Sequence, residues 1–150
     1  MKLHLQIASF VLATGLLAGC SKIEIRIGSP AEGSWVLTSA ASHDQHGWYP
    51  ITTGVENGVF NFYGDGTATY TERNTFMQGT WFIQTTVGGY YDENGNYYSN
   101  SHQSMDVNMS TASGNDAINM HFDNVRFYGN SFVATNYNNN SIDKFTFSRY

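Results

Sequence analysis

From Trp35 to the C-terminus, apolar and polar residues alternate with a period of two, the spacing that sends successive side chains to opposite faces of a strand. Trp35 and Leu37 share one parity, Phe60 and Phe62 another run, and Met105, Val107 and Met109 alternate with Asp106, Asn108 and Ser110. Ile118, Met120 and Phe122 alternate with Asn119, His121 and Asp123, and Phe145 and Phe147 with Thr146 and Ser148. Turn chemistry separates the runs: Gly64-Asp65-Gly66, Asn94-Gly95, Ser113 to Asp116, Gly129-Asn130 and Asn138 to Ser141. No stretch after Cys20 repeats apolar residues every 3.6 positions. The pattern predicts an all-β chain of short strands joined by short turns.

Such a meander suits an antiparallel up-and-down β-barrel of about eight strands, because closure removes exposed sheet edges. A β-sandwich satisfies the same one-face alternation. The inward parity collects Trp35, Leu37, Phe60, Phe62, Tyr70 and Ile83, then Met105, Met109, Met120, Phe122 and Phe132, then Phe145, Phe147 and Arg149. A barrel of eight strands is just wide enough to be filled by side chains or to hold one small ligand. So many bulky residues favour a filled interior or a small upper pocket.

The N-terminus reads differently. Lys2 gives a small positive start, and the apolar run from Ile7 to Leu17 has 11 residues, short of the roughly 20 that cross a bilayer as a helix. This is the build of a secretory signal. Leu17-Ala18-Gly19-Cys20 resembles the lipobox of bacterial lipoproteins. That resemblance implies cleavage before Cys20, diacylglycerol on its sulfur and an acylated (palmitate-type) amino end. Residues 1–19 are then a signal peptide, 20–32 the lipidated Cys and a tether, and 33–150 the domain. Lys22 to Ile27 alternates apolar and charged residues, which fits the tether or an edge strand. Ser21 stands where an inner-membrane retention signal has Asp, so the expected place is the outer membrane, facing the periplasm or the outside. Cys20 is the single cysteine, which excludes an intramolecular disulfide in an oxidising compartment.

The domain itself is similar to lipocalins. Gly33-Ser34-Trp35 opens the first strand and Arg149 closes the last. Phe62, Asp65, Gly66 and Thr67 form a hairpin signature, and Gly79-Thr80-Trp81 repeats the Gly-x-Trp in mid-chain. The resemblance covers about residues 33 to 150. It implies a small barrel with Gly33, Trp35 and Arg149 at its closed floor, the guanidinium over the indole. It also implies an apolar or amphipathic ligand in some members, and no catalytic residues. The chain departs from the pattern in lacking the usual disulfides and the helix after the barrel.

Composition narrows function further. Charged residues make up 13% and aromatics 15% of the chain, so it is built to pack rather than to stay disordered. A net charge of −5 leaves nothing to neutralise a row of phosphates, which excludes nucleic acid as a partner. His43, Asp44 and His46 are metal-capable, but no fourth ligand is spaced nearby, and they read as a polar loop. Asp92 to Asn96 lacks the Gly and Glu that a calcium loop needs and reads as a hairpin turn. No nucleophile elbow, His-Glu-x-x-His or phosphate-binding glycine loop occurs. The chain is therefore expected to be no enzyme and to use no cofactor or metal. Two binding modes remain. The first reading, which the resemblance favours, is a carrier that holds a small apolar or amphipathic molecule in the upper barrel and its open mouth, with Trp48, Tyr49, Tyr70 and Met105; the second is the alternative. A recognition module would meet a glycan or protein with Tyr90, Tyr91, Tyr97 and Tyr98 and the His43–Trp48 loop.

Overall fold

The computed structural model describes residues 28–138 and 140–150; the signal segment, Cys20 and the alternating stretch before Gly28 lie outside the described residues. Among the described residues, ten antiparallel strands form one sheet: β1 (Gly33–Asp44), β2 (Gly47–Pro50), β3 (Val59–Phe62), β4 (Thr67–Glu72), β5 (Thr75–Tyr91), β6 (Tyr97–Ser110), β7 (Ala117–Phe122), β8 (Asn124–Tyr128), β9 (Ser131–Asn138) and β10 (Ser141–Arg149). No helix occurs among the described residues. The count is ten rather than about eight, in part because β2 folds back on β1 where the sequence suggested a polar loop.

The strand order is β7-β6-β5-β4-β3-β1-β10-β9-β8, with β2 paired to β1 off this path. The path starts and ends on strands that are neighbours in sequence, separated by Asp123 alone, and no ladder joins them. The sheet nevertheless turns back on itself. β7 and β10 are six strands apart along the path, about 29 Å in a flat sheet. Yet the ring of Phe122 on β7 lies 5.3 Å from Phe145 and 6.2 Å from Phe147 on β10. One face of the sheet is thus inside, and its side chains make one core.

The aromatic interior follows the alternation. Phe60 meets Tyr70 at 4.8 Å and Phe147 at 5.7 Å, and Phe132 stacks on Phe147 at 4.5 Å with a 14° interplanar angle. Ile83, Met120 and Phe145 pack at the margin, partly buried. One irregularity shifts the parity: the β1–β10 register slips between Leu37 and Ser39. The extra residue, Thr38, is a β-bulge. Trp35 and Leu37 point inward before it, Ala40 and Ser42 after it.

At the start of β1 the chain is held by a second layer of contacts. Residues 28–32, read in the sequence as the end of a tether, form a turn that packs on the sheet, with Ala31 fully buried. The Trp35 indole N–H donates to the Ala31 carbonyl at 2.7 Å. The Arg149 guanidinium lies over the Trp35 ring, 4.0 Å from its centroid, and donates to the carbonyls of Glu32 and, at 3.0 Å, Pro30. Gly33 has a φ of +117°, and a Cβ there would run into the Arg149 guanidinium. Glycine is required on both grounds.

Candidate recognition surface

The four residues expected at an open barrel mouth do not share one environment. Tyr70 and Met105 are buried in the core. The Tyr70 hydroxyl donates to Glu72 Oε2 at 2.6 Å, and burial, followed by that carboxylate, pushes its pKa well above the usual phenol value. Its ring occupies the space that a side chain at position 58 would need, so Gly58 lets it close over the core. Trp48 and Tyr49 are exposed on β2. Their strand partners are His43 and Ser42 respectively, which puts them on opposite faces.

Trp48 belongs to the outer face, where a row forms across four strands. Trp48 pairs with His43, His43 with Ile142, and Ile142 with Tyr137, taking the row from β2 through β1 and β10 to β9. Directly opposed residues in antiparallel strands share a face, so all four side chains lie on the side away from the core. Trp48 is 37% and Tyr137 46% exposed. The rings of Trp48 and His43 are 4.9 Å apart, and the Lys144 ammonium sits 4.2 Å over the indole.

The tip of the β5–β6 hairpin extends this row. β5 has 17 residues and β6 has 14, but β4 pairs only as far as Thr80 and β7 only as far as Met105. Beyond those points the hairpin is a two-stranded ribbon, which is marginal in water unless something covers it. The ribbon docks on the outer face of β8, β9 and β10. The Thr135 hydroxyl donates to the Tyr91 carbonyl at 2.6 Å, and the Lys144 ammonium to the Glu93 carbonyl at 3.3 Å. The Glu93 carboxylate accepts from the Tyr128 hydroxyl at 2.8 Å and faces Arg126 at 3.5 Å. Thr135, a polar residue on the outward parity, is buried under it, and its strand partner Asn124 is buried beside it.

The four tyrosines of the hairpin divide between docking and display. Tyr90 is only 5% exposed; its ring lies against Tyr98 and His102, and its hydroxyl accepts from Arg126 at 3.4 Å. Tyr90 is therefore an internal anchor rather than a surface residue. Tyr91 stacks on Tyr137 at 4.9 Å and meets Tyr97 edge-on at 5.3 Å. Tyr97 is 61% exposed. At the turn, burial would raise the Asp92 carboxyl, but amide hydrogen bonds from Asn96 and Asn94 hold it below the ordinary value. Gly95 closes that turn with a φ of +85° and sits over Ile142.

Two segments about 45 residues apart in sequence, His43–Trp48 and Tyr91–Tyr97, thus meet through Ile142 and Tyr137. Sequence reasoning missed Ile142, Tyr137 and Lys144. The signal was there in the parity: Ile142 and Tyr137 fall opposite to Phe147 and Ala134, two apolar residues on the outward face beside one turn. A shallow depression on the outer face of β5, β6 and β7 is lined by Gln78, Asn108, Ser110 and Asn119 and has no ring in it. Among the described residues, no group of three or more His, Cys, Asp or Glu side chains is arranged to hold a metal ion. Compared with protein families, with curated proteins and with solved structures, the chain matches none.

Proposed function

We propose that this protein is a lipid-anchored recognition module of the bacterial cell envelope that binds glycan on its outer aromatic row. The observation carrying this reading is the meeting of Trp48, His43, Tyr137, Tyr91 and Tyr97 on one face, several of them well exposed. Flat rings with polar edges suit sugars, whose C–H faces stack while hydroxyls reach the ring substituents and Lys144. The rings themselves carry no formal charge, which suits stacking on the sugar faces of a glycan strand, and the Lys144 ammonium beside Trp48 adds one hydrogen-bond donor. A sheet curled into a lipocalin-like barrel is part of the proposal, supported by the adjacency of β7 and β8 and by the cross-core contacts of Phe122.

Anchoring through Cys20 gives the row its orientation. The chain enters β1 at Gly33, and His43 lies ten residues further along the same strand, about 30 Å away. A domain held by its N-terminus presents the row away from the membrane. Outer-membrane placement would aim it at the peptidoglycan from the periplasmic side, or outward from the cell surface. The carrier alternative would need room beside Tyr70 and Met105, which are packed among other core side chains.

Trp48→Ala and Tyr97→Ala are each expected to weaken binding to insoluble peptidoglycan about tenfold, close to 1.4 kcal/mol and within the range of one aromatic contact. Co-sedimentation of the purified chain checks this. Unchanged binding in both variants, or a small molecule retained in the core by native mass spectrometry, would replace recognition with carriage.

A further inference from the structure

The two ends of the sheet, β7 and β8, meet at Asp123 without a ladder between them. Side chains bridge that seam instead. His121 on β7 has a carboxylate at each ring nitrogen: Nδ1 is hydrogen-bonded to Asp106 Oδ1 on β6 at 2.7 Å, and Nε2 lies at ion-pair distance, 3.3 Å, from Asp123 Oδ1. The second oxygen of Asp123 accepts the backbone N–H of Tyr137 on β9 at 2.8 Å. The relay Asp106–His121–Asp123–Tyr137 therefore runs from β6 to β9 across the break. It ends on a residue of the aromatic row.

An imidazole can donate from both nitrogens only when it is protonated. Neutral, it keeps one N–H and turns a lone pair toward the other carboxylate. The arrangement is complete in one protonation state and repulsive in the other. We propose that His121 is a pH-operated clasp on the seam: charged, it ties Asp106 to Asp123 and steadies the Tyr137 end of β9; neutral, it releases Asp123. Its charged neighbours are Asp106 from β6 and Asp123 from the β7–β8 link, while Phe82 of β5 pairs with Asp106. The hydrogen bond to Asp106, opposed by partial burial and assisted by the charges of Asp106 and Asp123, raises the His121 pKa above 6.5. A raised folded-state value means that the clasp contributes fully below about 6.5 and is lost as pH rises through the folded-state pKa.

The clasp itself needs no ligand; that the Tyr137 end it steadies is part of a binding surface rests on the recognition reading above. Amide hydrogen exchange, expressed as protection relative to the free-peptide rate at each pH, should show Tyr137 protection falling about three- to tenfold as His121 titrates. Half-exposed charges are screened by solvent, which sets the modest size. Phe147 in the core should show no step. His121→Gln, which cannot titrate, should abolish the step at Tyr137. A pH-independent Tyr137, or the same step in His121→Gln, overturns the clasp. A step at Tyr137 in a chain that binds no peptidoglycan supports the clasp and removes the recognition surface, while binding with no step does the reverse.

Discussion

Trp35→Ala is expected to remove about 3–5 kcal/mol of stability, the range for deleting a large aromatic side chain from a packed core. The indole is fully buried, sits edge-on to Phe132 at 4.8 Å, and donates its N–H to Ala31. Its loss opens a void and leaves the Ala31 carbonyl without its donor. The turn at 28–32 loses the residue it packs on, and Arg149 loses the ring beneath its guanidinium. Domains of this size have about 5–15 kcal/mol in hand, so the variant should melt roughly 10–20 °C lower. Arg149→Ala removes only the lid of the same arrangement and should cost about 1–2 kcal/mol. Thermal unfolding followed by circular dichroism measures both, and a Trp35→Ala shift of less than a few degrees would show that the indole does not organise this end.

Tyr90→Ala should have the second-largest effect, about 2–3 kcal/mol, and a different character. Tyr90 lies outside the main core cluster; its ring packs on Tyr98 and His102 within the ribbon and its hydroxyl ties the ribbon to Arg126 of β8. A docked two-stranded ribbon can come away while the rest of the sheet stays folded. The expected result is loss of exchange protection and faster proteolysis around residues 84–104, with core amides such as Phe132 and Phe147 unchanged. Glycan binding should fall in the same variant, because Tyr91 and Tyr97 travel with the ribbon. A uniform loss of protection through the whole sheet would mean that the ribbon and core are one cooperative unit.

Much of the fold was legible because a half-buried strand writes its burial into alternate residues. Phe60, Phe62, Phe132 and Phe147 lie inside on the parity read from the sequence. The contact between Arg149 and Trp35 joins the two ends of the domain at the position that the Gly-x-Trp pattern suggests. What alternation does not encode is how far a hairpin outruns its neighbours. Residues 84–91 and 97–104 look like any other strand in sequence, and only the shorter reach of β4 and β7 turns them into a ribbon that needs another surface. That surface, the outer face of β8 to β10, explains the outward Ile142 under Gly95 and the buried Thr135. The bulge at Thr38 is invisible for a related reason: one extra residue leaves the pattern on either side intact and reverses its parity.

The recognition surface is most directly tested by mapping contacts on the folded chain. Isotope-labelled protein titrated with soluble peptidoglycan fragments should shift the signals of Trp48, His43, Tyr137, Tyr91 and Tyr97 together, with one dissociation constant, and leave Tyr70 and Met105 unmoved. Shifts concentrated on Tyr70, Met105 and Phe60, or none on the aromatic row at saturating fragment, would contradict it.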